Sequence, residues 1–348
     1  MRPAGDDRVI DDTHIPHRIV IRMPNWLGDA VMALPAAAAV RAAYPSTHIA
    51  VAAIATVAPM FEERNAIAPQ EVVVVEKHNE AERLRPGRYD TAILLPNSVR
   101  TAWAARQGGI AHRWGFSAGA RRLLLTRAIP RPRREVHQTE YYSTLVRGLD
   151  IPVADSQPFI NATDETRGRA ARLLGDMRSP VVGFAPGAAY GHAKRWPPER
   201  VADVVTRLVR EHDASCVMVG AVGDRETARA VESSLPAGVR LVNLVGRTDL
   251  RLLIGVLAHC DAFVSNDSGA MHLAAAAGIP VTAIFGPTKE RVTAPIGSHD
   301  VLLHKVFCRP CMLRECPIDH RCMTRITPDD VFRSVERRLE SSRSQSDA

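Results

Sequence analysis

Two segments in the second half of this chain carry residues suited to a phosphate. Residues 266–272 read Asn266-Asp267-Ser268-Gly269-Ala270-Met271-His272, where a short apolar run stops and a small-residue helix begins. Asp267 or Ser268 can cap that helix, Gly269 lets a ligand approach the backbone, and the N–H groups of a first helical turn attract an anion. Ser268 and His272, four residues apart, share a face of that turn. The alternative is a plain strand-to-helix cap without a ligand. The second segment reads Pro186-Gly187-Ala188-Ala189-Tyr190-Gly191-His192-Ala193-Lys194-Arg195-Trp196-Pro197. Gly187 and Gly191 permit close backbone approach, and Lys194 is a compact cation able to meet a phosphate, although a Lys-Arg pair in a loop is often only solvated. Two anion-friendly turns at the carboxyl ends of one parallel sheet would let a diphosphate bridge them.

The first strand-to-helix turn reads Asn25-Trp26-Leu27-Gly28-Asp29 and lacks the three glycines of a dinucleotide fold, which argues against a nicotinamide cofactor. It places Asp29 near a helix start, whose positive end favours the ionised carboxylate. Asp29 is then either a capping residue or a general base facing a cleft between domains.

Positioning these turns requires alternating strands and helices. Strand-like runs fall at 17–23, 47–53, 71–76 and 91–95, and again at 180–185, 215–220, 240–245, 262–265 and 281–285, with helical patterns between them. Such alternation predicts parallel sheets with crossover helices. After Pro198, residues Val201, Val204, Val205, Leu208 and Val209 form one apolar stripe that must pack on a sheet. The polar, strand-poor stretch 150–176 marks a domain boundary. The expected organisation is a disordered tail at 1–16, a Rossmann-like domain at 17–165, a second at 175–326, a helix at 327–341 lying on either domain, and a tail at 342–348.

A chain of 348 residues, 46% apolar and 24% charged, suits two soluble domains. Asp6, Asp7, Asp11 and Asp12 precede any apolar run, so no signal peptide is expected, and no uninterrupted apolar stretch approaches the length of a membrane span, so the chain should remain cytoplasmic. A net charge of +7 favours anionic partners: nucleotides, nucleic acid or an acidic membrane surface. Arg121, Arg122, Arg127, Arg131, Arg133 and Arg134 form a dense basic stretch, either a solvated face or a surface for anions. Cys308, Cys311, Cys316 and Cys322, with His320 nearby, crowd one loop at 308–322 and could hold a structural zinc or iron–sulfur cluster, or remain reduced thiols. Cys216 and Cys260 read as core residues.

The turns at 25–29, 186–188 with 194–197, and 266–272, together with Leu95-Pro96-Asn97-Ser98, resemble the ADP-heptose:lipopolysaccharide heptosyltransferases, nearest their heptosyltransferase II branch. The resemblance runs from about residue 19 to the C-terminal helix. It implies a GT-B fold, with an acceptor domain followed by a nucleotide-sugar domain across a cleft, and inverting transfer with no obligatory metal or other cofactor. Asp29 would be the general base. Lys194 and the helix N-terminus at Ser268-Gly269 would stabilise the ADP leaving group, and His272 would donate to the diphosphate or sugar. Gly187, Ala188, Ala189 and Asp267 would complete the nucleotide-sugar site, where Ala188 and Ala189 offer only backbone groups. Asp224 or Glu226 would hold the ribose. Asn25, Trp26, Asn97, Ser98 and Arg100 would meet the acceptor, the inner core of lipopolysaccharide built on Kdo-lipid A and bearing heptose. The enzyme would work peripherally at the inner face of the inner membrane, with no nucleic acid as partner. Whether the acceptor is that of heptosyltransferase I, II or III stays open. The competing expectations are a GT-B-like sugar-nucleotide 2-epimerase and a nucleic-acid- or metal-binding module.

Overall fold

The computed structural model describes residues 14–154 and 157–346. The first half contributes strands β1 (Arg18–Arg22), β2 (His48–Ala53), β3 (Arg64–Asn65), β4 (Glu71–Val74), β5 (Thr91–Leu94), β6 (His112–Phe116), β7 (Arg127–Ile129) and β8 (Ile160–Asn161). Its parallel sheet has the order β4-β2-β1-β5-β6-β7, while β3 and β8 pair antiparallel. The second half contributes β9 (Val181–Ala185), β10 (Ser215–Met218), β11 (Val242–Asn243), β12 (Ala262–Asn266), β13 (Val281–Phe285) and β14 (His299–Leu303), ordered β11-β10-β9-β12-β13-β14. Each sheet therefore starts in its middle and grows first one way and then the other. Connections leave in opposite directions between β1 and β5 and between β9 and β12, which opens a crevice at the carboxyl ends of those strands. Two Rossmann-like domains face each other across a cleft in the GT-B arrangement.

The central strands are buried on both faces, as Ile19, Ile21, Val51, Ile93, Val182 and Phe263 illustrate. The stripe after Pro198 becomes helix Pro198–His212, with Val201, Val204, Val205 and Leu208 buried against the second sheet and Val209 packed at its margin. Strands at 71–76 and 240–245 are shorter than expected. β6, β7 and β14 escaped the pattern: β6 and β7 open on polar residues, and β14 is only half-buried along its length at a sheet edge.

The junction is helical. Helix Asp164–Leu174 packs against helix Leu250–Leu257 so closely that a Cβ on Gly255 would lie 2.8 Å from the Thr166 carbonyl oxygen. Buried Glu63 ties the two halves there: Arg251 Nε and Thr166 Oγ1 each donate to it at 2.6 Å, as does the Thr163 N–H. The last helix, Pro328–Ser346, lies on the second domain, burying Val331, Phe332 and Val335. Thr327 and Asp330 start it by exchanging bonds: Asp330 N–H donates to Thr327 Oγ1 at 3.2 Å and Thr327 N–H to Asp330 Oδ2 at 2.9 Å. The tail read at 1–16 lies outside the described residues through 13, while His14 stacks on His112 and bonds Thr91 Oγ1 at 2.9 Å. Of the tail read at 342–348, residues 347 and 348 lie outside the described residues and the helix continues to Ser346. Among the described residues no helix is long and apolar enough to cross a membrane.

Candidate active site

The cleft holds a cavity of about 700 Å³ lined by both domains. From the first domain, β1 ends in the turn at 23–26, and helix Leu27–Met32 presents Asp29 from its third position. The Asp29 side chain caps nothing: Trp26 stands at the cap position and no side chain closes it. Burial pushes the Asp29 carboxyl up to about 6, and the nearby positive charge of Lys194 only partly opposes this. Desolvation thus overrides the helix N-terminus that was expected to favour ionisation. Tyr142, buried beneath, feels the Asp29 charge, which adds to burial in raising its hydroxyl well above the ordinary value.

On the opposite wall, β9 leads into the turn carrying Lys194, and β12 leads into helix Gly269–Ala276. Lys194 Nζ lies 2.5 Å from Asp267 Oδ2, and Thr288 Oγ1 donates to the same oxygen at 2.6 Å. Asp267 therefore serves the lysine and does not cap the helix. Ser268 does not cap it either, its hydroxyl lying 3.1 Å from Ser265 Oγ. The first-turn N–H groups of helix Gly269–Ala276 are left facing the cavity, the arrangement that binds anions. His272 is buried beside them, and burial lowers its imidazole to about 4, so the ring is neutral at neutral pH and offers one N–H.

Two glycines bring the walls together. A Cβ on Gly28 would lie 2.8 Å from His272 Cδ2, and a Cβ on Gly269 would lie 2.9 Å from Leu27 Cβ. Each helix start thus receives a side chain of the other, and Asp29 faces the anion-binding turn.

Gly187, Ala188, Ala189 and Asp224 line the cavity with Lys194, Asp267, Ser268, Gly269 and His272. Gly187 is required for space, because a Cβ there would stand 2.1 Å from the Asp224 carboxyl carbon. Of the two ribose candidates, Glu226 is exposed on helix Arg225–Ser233 and does not line the cavity, whereas Asp224 does. Of the acceptor candidates, only Trp26 lines it, with its ring largely exposed at the mouth. Asn25 accepts from Arg22 at 2.9 Å, Asn97 donates to Tyr141 Oη at 2.7 Å, Ser98 caps helix Val99–Gln107, and Arg100 pairs with buried Glu80 at 2.5 Å. These four hold the first domain together.

The arginine stretch is not one solvated face. Arg121 is fully buried, donating to the Leu94 and Phe116 carbonyls at 3.1 and 3.3 Å and to Asn97 Oδ1 at 3.2 Å, and burial lowers it to about 10. Arg127 pairs with Asp150 and stacks on Trp114. Among the described residues no group of three or more His, Cys, Asp or Glu side chains is placed to hold a metal ion. In the cysteine loop Cys322 is buried, Cys311 is exposed, Cys308 and Cys316 are intermediate, and the His320 N–H donates to Cys316 Sγ at 3.3 Å.

Sequence reasoning missed Tyr190, Thr288 and the apolar side of the cavity at Val219, Leu250 and Leu253. Tyr190 lies in the turn at 186–197, where an aromatic ring four residues before Lys194 is a usable signal. Thr288 reaches Asp267 from a loop 21 residues further along the chain, and no local spacing marks it.

Two facing Rossmann-like domains with an anion-binding helix start on one side and a raised carboxylate on the other are the arrangement a GT-B glycosyltransferase requires. The profile of Glycosyltransferase family 9 (heptosyltransferase) matches residues 77–321, and the chain belongs to that family. Lipooligosaccharide heptosyltransferase 2 of Haemophilus influenzae is 29% identical over 92% of this chain and 99% of its own length. Lipopolysaccharide heptosyltransferase 2 of Escherichia coli is 28% identical over 91% of this chain and 97% of its own. The solved ADP-heptose lipopolysaccharide heptosyltransferase II of E. coli superposes with a TM-score of 0.82 at 27% identity, covering 95% of this chain and 100% of that one. The chain is thus a heptosyltransferase whose relatives at this level are of the second type.

Proposed function

We propose that this enzyme moves L-glycero-D-manno-heptose from ADP-heptose to the heptose-bearing inner core of lipopolysaccharide, with inversion at the anomeric carbon. The observation that carries the reading is the placement of Asp29, held near pKa 6 with no capping bond, directly across the cleft from Lys194 and the helix start at Ser268-Gly269. The donor's diphosphate lies on that helix start with its charge met by Lys194. Asp224 takes the ribose hydroxyls, and the apolar side at Val219, Leu250 and Leu253 takes the adenine. Lys194 leaves Asp267 in part to reach the phosphates.

The acceptor hydroxyl then attacks the anomeric carbon from the face opposite ADP. As the new C–O bond forms, Asp29 takes the hydroxyl proton and the sugar–phosphate bond breaks, its electron pair leaving on the ADP oxygen. Lys194, the first-turn N–H groups and the His272 N–H stabilise that developing charge, and preorganised stabilisation of this kind is usually the largest single catalytic effect. The step as drawn needs no metal. Trp26 at the mouth meets the acceptor sugar, while Asn25, Asn97, Ser98 and Arg100 act only by holding the first domain's shape. The acceptor's lipid end implies work at the inner face of the inner membrane.

A GT-B-like 2-epimerase would consume donor without an acceptor, and a nucleic-acid-binding module would not use it at all. Incubating the enzyme with ADP-heptose and either heptosylated or heptose-free Kdo-lipid A separates these. Transfer product should form with the heptosylated acceptor alone, with inverted anomeric configuration. Donor consumption independent of acceptor, or a retained configuration, contradicts the proposal.

A further inference from the structure

The cysteine-rich loop is the largest sequence feature that the reaction leaves without a task, and it is built against the turn that carries Lys194. Tyr190 Oη donates to the Met312 carbonyl at 2.7 Å, and the Ala193 N–H donates to the Arg314 carbonyl at 2.9 Å. His320 Nε2 lies 2.7 Å from the Ala193 carbonyl oxygen, one residue before the lysine. The approach is close enough that a Cβ on Gly191 would lie 2.4 Å from the Arg314 carbonyl oxygen. The Tyr190 ring lies beneath Lys194, its centroid 4.7 Å from Nζ. The same loop also reaches the residues behind Asp267. The Met312 N–H donates to the Pro287 carbonyl at 3.0 Å, and Arg309 donates to the Gly286 and Thr288 carbonyls at 2.8 and 3.0 Å.

A lysine ammonium on a four-carbon stem has many rotamers, so its value to a leaving group depends on being aimed before the donor arrives. Here the lysine's neighbours in sequence are fastened at three points to one loop, and its cation rests on an aromatic face that belongs to the same fastening. We propose that the cysteine-rich loop is a brace that aims Lys194 at the donor's diphosphate, with Tyr190 and His320 as positioning residues acting through it. The inference rests on Lys194 meeting the diphosphate, as set out under the proposed function.

A double-mutant cycle on ADP affinity and turnover in the full chain tests it. Tyr190→Leu should weaken ADP binding and slow transfer, together by about tenfold, while the same substitution made on Lys194→Ala should change either by less than about twofold. His320→Ala should behave alike, with His320→Gln recovering most of the loss because its amide can still donate to the Ala193 carbonyl. Tyr190→Phe keeps the ring and loses one hydrogen bond, so it should fall between wild type and Tyr190→Leu and supply the reading if the leucine variant does not fold. Equal Tyr190→Leu effects on both backgrounds would show a merely structural role and overturn the inference. So would unchanged binding and turnover in the Tyr190 and His320 variants while Lys194→Ala is impaired, an outcome that leaves the site reading intact. If Lys194→Ala itself binds ADP and turns over normally, the reading of the site fails and the brace with it.

Discussion

Asp29 and His272 are both shifted by burial, and both are driven toward their neutral forms. Asp29 keeps its proton to about 6, where an ordinary aspartate gives it up near 3.8. The folded chain therefore binds an extra proton between these values, and this residue's contribution to stability falls as pH rises across that window. Asp29→Asn cannot ionise, so above pH 6 thermal or urea unfolding should show it more stable than wild type, by on the order of 2 kcal/mol. His272 stays unprotonated down to about 4, against an ordinary 6.5, so its contribution is lost as pH falls through that range. The acid limb of kcat/KM should accordingly lie near 6 and belong to Asp29, since a limb carried by His272 would appear near 4. Lys194→Ala should weaken donor affinity and slow the chemical step together, because in the proposed reaction its charge meets both the bound diphosphate and the departing one. A loss on the order of 100-fold in kcat is expected from removing one such group, read by single-turnover kinetics alongside ADP titration.

The elements that place these groups were legible where period and turn chemistry agree. The stripe after Pro198 and the Thr327 start of the last helix follow from spacing alone, and the turns at 25–29, 186–197 and 266–272 stand at strand ends as read. Three things were not legible. Burial of Asp29 and Arg121 depends on elements distant in sequence, so neither the raised aspartate carboxyl nor the buried guanidinium follows from local spacing. The apparent cap at Asp267 is recruited by Lys194, 73 residues away. Strand-end polar residues such as Asn97 and Ser98 look like ligand contacts in sequence but serve a neighbouring tyrosine and a helix cap. The glycine exchange between helices Leu27–Met32 and Gly269–Ala276 was likewise invisible. Gly269→Ala adds a Cβ 2.9 Å from that of Leu27, so it should wedge the helices apart. Although alanine suits a helix better than glycine, this change should destabilise by about 1–3 kcal/mol and lower kcat more than ADP affinity. Calorimetry and steady-state kinetics check the two halves of that expectation.

At the scale of the whole molecule, the proposed reaction needs two domains held in register, since the proposed base comes from one and the proposed leaving-group site from the other. Glu63 and Arg251 fasten the junction behind the cavity, and Glu135 with Lys289 at 2.7 Å fastens its rim. Arg251→Ala strips a buried carboxylate of its partner and should lower stability by roughly 3 kcal/mol, seen as a lower thermal midpoint. Glu63 is held below the ordinary carboxylate range by its donors despite burial, so its stabilising contribution should be lost only as the solution becomes strongly acidic. The proposed reaction has Asp29 take the acceptor proton while the facing domain holds the nucleotide independently. It is tested most directly by measuring heptose transfer from ADP-heptose to the heptosylated acceptor by Asp29→Asn, with ADP affinity determined on the same protein. Transfer should fall by at least about a thousandfold, with ADP affinity within about threefold of wild type. Transfer near the wild-type rate, or loss of ADP binding in parallel with transfer, would contradict it.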